Sequence, residues 1–268
     1  MKVCTDLKEE YSVLVSVIMP THNCGQYIEE ALRSIIAQTL KDWEVLIIDD
    51  FSTDNTAEVL KPYLSEHPNI RYFWLPQQRG AAVARNEGLK RARGRYIAFL
   101  DSDDVWMSEK LEKQIAFMSE KDVRFSCTAY MHMDSNGKLL KRIYVPPAQI
   151  SYQKCLLLSN PIGSSTAVYD RKALGICEVP DIKKRNDFAL WLQILKRTDY
   201  CYGIQDVLAV YRTGRYRSLS HPRSKLASYH WQLYRKIEGH SIVRSAFEMG
   251  CWVFVKGLGI GRGKRTRK

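Results

Sequence analysis

The chain has 268 residues, 45% of them hydrophobic, and its formal net charge is +12. This length and this apolar fraction suffice for one large α/β domain with a sizeable core, and they exclude a disordered or fibrous protein. The seven cysteines are widely spaced and form no C-x-x-C pair, which predicts reduced, mostly buried thiols and excludes a disulfide or zinc framework. Charged residues at 8–10 interrupt the N-terminus, and no apolar run reaches the roughly 20 residues of a spanning helix. We therefore expect a cytoplasmic protein.

The positive charge is concentrated at one end of the chain. Residues 209–268 contain 14 Lys or Arg and only two acidic residues, Glu238 and Glu248, whereas the rest of the chain is neutral. A neutral body with a basic C-terminal arm predicts an anionic contact for that arm. The candidates are an acidic membrane leaflet, a nucleic acid and a charged acceptor.

The first half of the chain alternates apolar runs with helical spacing. Buried strands are predicted at 13–19, 44–48, 70–75 and 96–100. Amphipathic helices are predicted between them, with Asn23 and Gln26 resembling a capping pair before the first helix. This alternation predicts β-α units and a mostly parallel sheet flanked by helices. The loops after the strands then lie along one sheet edge, where ligands bind in α/β folds.

The second half is less regular. Strands are predicted at 138–145 and 167–170 around a turn at 160–163, a helix at 186–196, a short strand at 207–212 and a helical pattern from 224 onward. No internal repeat and no linker is recognisable, which indicates one catalytic domain with a C-terminal extension.

Three carboxylates in four residues, Asp101, Asp103 and Asp104, follow the predicted strand at 96–100. Carboxylates this close together repel one another, and a divalent cation removes that cost. All-oxygen ligands suit Mg²⁺ or Mn²⁺, which would bridge to a diphosphate. The alternative is that one of these aspartates only caps a turn before the next helix.

Asp50 follows the predicted strand at 44–48 and is the second candidate. A carboxylate at this edge can accept hydrogen bonds from a base N–H or a ribose hydroxyl, although an ordinary turn would contain the same residues. Neither G-x-G-x-x-G nor G-x-x-x-x-G-K-[ST] occurs, so a dinucleotide or P-loop phosphate cradle is unsupported.

Four motifs occur in order along the chain: VSVIMPTHN at 15–23, ALRSIIAQTLKDWEVLIIDDFSTDNT at 31–56, GAAVARNEGLKRARGRYIAFLDSDDVW at 80–106 and NDFALWLQIL at 186–195. Together they resemble glycosyltransferase family 2, which has the GT-A fold. The resemblance implies a Rossmann-like nucleotide-binding domain over 12–212, with a donor-binding half at 12–107 and an acceptor-binding half at 108–212. Residues 213–268 would be a basic helical extension.

The resemblance also implies donor contacts. In such proteins the Pro-Thr after the first strand and the second Asp of the D-D pair contact the nucleotide, usually uridine. The D-x-D motif is similar to Asp101-Ser102-Asp103, with Asp101 and Asp103 as ligands of Mn²⁺ or Mg²⁺, and the Arg of A-R-N-x-G is similar to Arg85. The expected donor-binding residues are Pro20, Thr21, Asn23, Asp50, Arg85, Asp101, Ser102, Asp103 and Arg212.

The family's E-D-x-x-x-W motif is similar to Asn186-Asp187 with Trp191. This implies Asp187 as the catalytic base, with Asn186 and Trp191 on the acceptor side. A helix terminus and nearby cations favour the ionised form of Asp187, although a plain helix-start Asp fits the same residues. The sequence departs from the family at Asn186, where Glu is usual, and at His22, where Tyr is common. The departure at Asn186 concerns the identity of the sugar, and the departure at His22 concerns the pocket for the nucleotide base.

The segment after the strand at 207–212 contains Arg212, Arg215, Arg217, Ser218 and Ser220. It resembles a loop that closes over the donor diphosphate, with Arg212 pairing the phosphates. A solvated basic loop is the alternative.

The apolar stretch MGCWVFV at 249–255 lies within the basic arm. It is too short to span a bilayer, and we expect it to lie in the interface of an anionic membrane, with Trp252 and Phe254 buried there. A core helix packed on the domain is the alternative.

The hypothesis is an inverting transfer of a single sugar from a nucleotide-sugar, with a UDP-sugar favoured, to the hydroxyl of a glycan or lipid-linked acceptor. The setting would be bacterial surface polysaccharide assembly (capsule, O-antigen or teichuronic type) at the inner face of the plasma membrane, with no nucleic acid partner. The rivals are a sugar nucleotidyltransferase, which would need a Gly-rich phosphate loop after the first strand, a basic nucleic-acid-binding module and a scaffolding protein.

Overall fold

The computed structural model describes residues 11–158, 160–182, 184–214, 226–258 and 264–266. The strands are β1 (Val13–Thr21), β2 (Trp43–Asp49), β3 (Ile70–Trp74), β4 (Gly94–Phe99), β5 (Val105–Trp106), β6 (Phe125–Met133), β7 (Leu139–Val145), β8 (Gln149–Ser151), β9 (Val168–Asp170), β10 (Tyr200–Arg212) and β11 (Lys264–Thr266). The α-helices are α1 (Ile28–Ile36), α2 (Thr56–Glu66), α3 (Ala81–Arg91), α4 (Lys110–Glu120), α5 (Tyr152–Leu158), α6 (Arg171–Leu174), α7 (Asn186–Leu195), α8 (Leu226–Gln232) and α9 (Ile242–Leu258). A 3₁₀ turn lies at Ser164–Thr166 and a π-helical turn at Leu233–Ile237.

The first half forms the parallel β-α sheet that the apolar periodicity predicts. Strands β4, β1, β2 and β3 lie side by side in that order, and each neighbouring pair is parallel. The register places Thr21 opposite Asp49 and Ile18 opposite Phe99. The polar residues that follow β1, β2 and β4 therefore share one edge of the sheet, as the sequence predicts.

The second half extends this sheet with mixed strand directions. β9 pairs antiparallel with both β4 and β6, and β7 pairs antiparallel with β6. β10 is parallel to β6 but antiparallel to β5 and β8. The prediction of a parallel sheet thus holds for the first half of the chain. Strands β5, β6 and β8 were not indicated by the sequence.

The C-terminal extension is mostly helical, as predicted, but it also returns to the sheet. β11 pairs antiparallel with β7 at the sheet edge, which corrects the all-helical expectation for this extension. Among the helices of the described residues, none is both long and apolar enough to cross a membrane.

The core has one layer on each face of the sheet. Helices α1, α2 and α4 cover one face, and α3, α5 and α7 cover the other. Helix α3 lies so close to the sheet that a Cβ at Gly88 would come within 2.8 Å of the Ile18 side chain. The described cysteines are free, and all but Cys251 are buried, in agreement with the prediction of buried thiols.

One buried cation has no anionic partner. Lys110, in the first turn of α4, is fully buried, and its Nζ has no hydrogen-bond partner among the described residues. Nζ lies 3.8 Å from the centroid of the Trp106 ring. Burial lowers the pKa of the Lys110 ammonium well below its usual value, because the charged form loses its hydration.

We expect Lys110→Met to raise the free energy of unfolding by about 1–3 kcal/mol near neutral pH, because methionine fills similar space without a charge. The pKa of Lys110 is lower in the folded chain than its unfolded value of 10.5, so the unfolded chain binds the extra proton between the two values. The free-energy cost of burying Lys110 therefore falls as the pH rises from 7 to 10. The stabilisation expected from Lys110→Met falls with it. Thermal unfolding across this range measures both effects.

Lys113→Met is the matched control, because Lys113 is exposed on the same helix and pairs only with Glu109. We expect little change in its melting temperature. A Lys110→Met variant less stable than the parent at every pH would show that the contact with Trp106 outweighs the cost of burial.

Candidate functional site

Asn23 links the loops that follow β1 and β2. Its backbone has a φ of 49°, and its Oδ1 accepts hydrogen bonds from the backbone N–H groups of Thr53 at 2.8 Å and Asp54 at 3.3 Å. Helix α1 begins later, at Ile28, without a side-chain cap. The capping interpretation of Asn23 is therefore wrong: its amide fixes the shape of the crevice wall.

Thr21 places an unsatisfied hydroxyl at the end of β1. The residue is 3% exposed, and its Oγ1 has no hydrogen-bond partner in the described part of the chain. Pro20 precedes it and is partly exposed. A buried hydroxyl without a partner is costly, so this position is suited to a ligand that supplies one.

Asp50 holds the connection between β3 and α3. Its two carboxylate oxygens accept hydrogen bonds from the backbone N–H groups of Arg79 at 2.6 Å and Gly80 at 2.7 Å. His22 Nδ1 lies 2.7 Å from the Asp50 carbonyl oxygen, which joins a third loop to the same point. Asp50 therefore organises this wall, and each oxygen keeps a second lone pair for a ligand.

The acidic cluster after β4 divides into an internal carboxylate and two that reach the surface. Asp104 is 1% exposed and accepts hydrogen bonds from the Ser165 hydroxyl and from the Arg212 backbone N–H. Burial raises the pKa of Asp104 well above its usual value, and the Asp103 and Asp101 carboxylates add to the rise. Asp101 and Asp103 are both partly exposed, whereas Ser102 between them is buried. The pair that resembles D-x-D is thus the accessible one.

Arg85 connects the acidic cluster to the start of α7. Its guanidinium is almost fully buried and donates to Asp101 Oδ1 at 2.7 Å and to Asn186 Oδ1 at 2.8 Å. A longer contact of 3.4 Å reaches the Ser164 hydroxyl. One side chain therefore joins residues that are far apart in sequence, from the donor-side and the acceptor-side motifs.

Asp187 lies beside this bridge, in the first turn of α7. It is partly exposed, and its Oδ2 accepts a hydrogen bond of 3.0 Å from Asn160 Nδ2. Arg185, just before the helix, has the left-handed φ of 65° that turns the chain into α7. The sequence indicated only a turn around Asn160, because nothing in its spacing shows which carboxylate its amide meets.

Arg212 lies at the end of β10. Its side chain is 2% exposed and pairs with Glu30, while its Nε donates to the Asp103 carbonyl oxygen at 2.9 Å. The guanidinium also stacks over the Tyr27 ring at 4.7 Å. In the structure Arg212 thus braces the loop that carries Asp103, and its contact with the donor phosphates stays a prediction. Residues 215, 217, 218 and 220 of the predicted loop lie outside the described residues.

Trp191 packs in the core of the protein. It is 1% exposed, and its ring packs against Phe99 at 5.4 Å and Phe125 at 5.6 Å between centroids. These contacts press α7 onto β4 and β6. The acceptor-side roles of Trp191 and Asn186 stay predictions; Asn186 is buried and accepts a hydrogen bond from Arg85.

A divalent cation fits the accessible carboxylates of this edge in chemistry and in number. Asp101 and Asp103 supply oxygen ligands, and Mg²⁺-type ions in phosphate-binding sites take one or two carboxylates and complete their shell with phosphate and water. The described residues hold no cluster of three or more His, Cys, Asp or Glu side chains arranged for a metal. These residues therefore suit an ion that arrives with a phosphate ligand and not one held by the protein alone.

The fold is that of an α/β protein whose polar residues gather at the carboxyl edge of a parallel sheet, where ligands bind in such folds. A model described as glycosyl transferase family 2 matches residues 16–175, and the chain belongs to that family. It is 41% identical over 243 residues to TuaG of Bacillus subtilis (strain 168), a glycosyltransferase named for teichuronic acid biosynthesis, with 91% of this chain and 94% of the relative covered. The chain is a glycosyltransferase.

A second relative is the Escherichia coli protein WfgD, named as a UDP-Glc:α-D-GlcNAc-diphosphoundecaprenol β-1,3-glucosyltransferase. It is 41% identical over 183 residues, which cover 68% of this chain and 70% of the relative.

Solved structures agree on the fold. Staphylococcus aureus TarS 1–349 in complex with UDP-GlcNAc superposes with a TM-score of 0.71 at 21% identity, covering 92% of this chain and 73% of that chain. The mannosyltransferase PcManGT from Pyrobaculum calidifontis, in complex with GDP-Man and Mn²⁺, superposes with a TM-score of 0.65 at 19% identity, covering 92% and 75%.

We expect Arg85→Lys to lower kcat by about 10- to 100-fold, because a single ammonium cannot reach Asp101 and Asn186 together and a charge-assisted hydrogen bond is lost. Release of free sugar from a nucleotide-sugar, or its transfer, measures the effect. Arg91→Lys is the matched control on the same helix, since Arg91 pairs with Glu87 nearer the surface. Equal loss in both variants would count against the bridge.

Proposed function

We propose that the chain transfers one sugar from a UDP-sugar to the hydroxyl of a lipid-linked glycan, with inversion at the anomeric carbon, during assembly of a bacterial surface polysaccharide. The observation that carries this proposal is the Arg85 bridge, which ties the accessible Asp101 to the helix start that bears Asp187. The name of WfgD supports a UDP donor and a diphosphoundecaprenol-linked acceptor, and the name of TuaG supports a surface polysaccharide.

We assign the donor side to residues 12–107, the acceptor side to residues 108–212 and a separate role to the extension at 213–268. On the donor side the Thr21 hydroxyl, Pro20 and the wall built by Asn23 and Asp50 would receive the nucleotide. Asp103 and Asp101 would hold Mn²⁺ or Mg²⁺, which, when bound, neutralises charge on the departing diphosphate. Arg85 donates a hydrogen bond to Asp101 Oδ1 and so orients this carboxylate for that purpose.

On the acceptor side we assign Asp187 as the general base. Asn160 holds Oδ2 at 3.0 Å, which fixes the plane of the carboxylate and directs the other oxygen to the acceptor hydroxyl. That hydroxyl loses its proton to Asp187 as its oxygen forms the new bond to the anomeric carbon and the nucleotide leaves from the opposite face. A single displacement of this kind inverts the configuration.

A polyprenyl-linked acceptor would be confined to a membrane. We therefore propose that the protein works at the inner face of the plasma membrane, with the basic extension as its contact with anionic lipid. The formal charge of that extension, 13 basic against two acidic residues from 213 to 268, supports this assignment.

The test is turnover of a panel of nucleotide-sugars with Mn²⁺ and then with EDTA. We expect one UDP-sugar to react, EDTA to stop the reaction, and Asp103→Asn to abolish the response to metal. Asp187→Asn should lower transfer by roughly 10²- to 10⁴-fold, the usual contribution of a general base. The anomeric configuration of the product, read by NMR, reports inversion.

Asp122→Asn and Asp181→Asn are the matched controls, because both carboxylates are exposed and lie outside the crevice. Turnover that persists in EDTA and in Asp103→Asn would refute the metal assignment. Release of pyrophosphate from a nucleoside triphosphate and a sugar phosphate would instead identify a nucleotidyltransferase.

A further inference from the structure

Helix α9 carries a row of exposed apolar side chains. Ile242, Val243, Phe247, Val253 and Phe254 are 63%, 81%, 68%, 56% and 66% exposed, and we call these five residues the α9 outer face. At 100° per residue they fall on one side of the helix, with exposed Ala246 and Gly250 between them. Contiguous apolar surface of this kind is uncommon on soluble proteins and marks an interaction site.

The polar side of α9 faces inward. Ser245 and Glu248 are buried, and Glu248 accepts hydrogen bonds from Arg244 at 3.0 Å and pairs with His240 at 2.7 Å. Trp252 is 4% exposed and packs on His230 at 4.2 Å between ring centroids. Turning the outer face inward would break these contacts, so the helix is locked with its apolar side outward. The expectation that Trp252 enters a membrane is thereby corrected, whereas Phe254 remains available.

Charge identifies the occupant of this face. Both acidic residues of the arm are buried in pairs, Glu238 with Lys196 and Glu248 with His240 and Arg244. Arg212 pairs with Glu30 and Arg244 with Glu248, so the other 12 basic residues from 209 to 268 have no acidic residue of the arm left to balance them. A second copy of the chain would bring the same positive charge to the contact, which like-charge repulsion opposes. An anionic bilayer offers opposite charge and an apolar interior together.

We propose that the α9 outer face binds in the interfacial layer of an anionic membrane. Val243, Phe247 and Phe254 enter the boundary of the acyl chains, and α9 lies parallel to the bilayer plane. A helix of 17 residues lying flat in this way covers about 25 Å of membrane. The benefit to the enzyme rests on the proposed function, since it brings the site to a lipid-linked acceptor, but the binding itself does not depend on the chemistry.

The experiment is co-sedimentation of the full chain with vesicles of equal parts phosphatidylglycerol and phosphatidylcholine, and with vesicles of phosphatidylcholine alone. We expect binding to the anionic vesicles only, and at least a ten-fold loss in the triple variant Val243→Gln, Phe247→Gln, Phe254→Gln. The control triple variant, Leu139→Gln, Leu140→Gln, Ile176→Gln, alters exposed apolar residues elsewhere and should bind like the parent.

A second measurement does not depend on the stability of the triple variant. Phe254→Trp adds a fluorophore to the outer face, and acyl-brominated phosphatidylglycerol should quench it more than it quenches Leu139→Trp. No binding by the parent, equal binding to neutral vesicles, unchanged binding by the α9 triple variant or equal quenching of the two reporters would overturn the proposal. So would a dimer in solution that this variant converts to a monomer, because the face would then join two copies.

The two proposals fail separately. Hydrolysis of the donor by the α9 triple variant at the parent's rate, together with loss of vesicle binding, supports both. If the chain binds vesicles but turns over no nucleotide-sugar, the result supports membrane binding by the α9 outer face and refutes the proposed transfer from a UDP-sugar.

Discussion

The Arg85 guanidinium is the point on which the arrangement of the site depends. Burying a cation is costly unless well-placed acceptors receive its hydrogen bonds, and three elements far apart in the sequence supply acceptors to the two terminal nitrogens of Arg85. Asp101 comes from the end of β4, Ser164 from the 3₁₀ turn and Asn186 from the start of α7. Misplacing Asp101 would leave the charge unpaired, and misplacing Asn186 or Ser164 would remove a further acceptor, so the burial of Arg85 depends on how these three elements pack together.

Asn186 changes the charge balance of this centre. Where the family usually has glutamate, Arg85 would face two carboxylates, and its positive charge would be shared between the donor side and the acceptor side. Asparagine still accepts the hydrogen bond at 2.8 Å but brings no charge. The positive charge of the Arg85 guanidinium then balances the negative charge of Asp101 alone. Asp187 also has no like-charged neighbour at position 186.

Local patterns predicted the parts of the molecule that local physics decides. The apolar runs located β1 to β4, and the rule that parallel strands end at one edge brought Thr21, Asp50 and the Asp101 cluster together. The packing of Arg212 and Trp191 could not be predicted, because it depends on which residues the fold brings around them. Motif position shows neither that Glu30 and Tyr27 enclose Arg212 nor that Phe99 and Phe125 enclose Trp191. Asn160 was missed for the same reason, since an amide in a turn acquires its function from the carboxylate that the fold places beside it.

A buried ion pair sets which side of α9 faces the protein, although burial of apolar surface alone would favour the opposite orientation. The sequence identified an apolar stretch at 249–255, but the direction in which it faces is set by Glu248, which is held inside by His240 and Arg244. Helix α9 packs on α5, and α5 ends at Leu158, two residues before Asn160, the residue that holds Asp187. The surface that we assign to the membrane therefore packs on the helix that precedes Asn160, and Asn160 in turn holds Asp187, the proposed base.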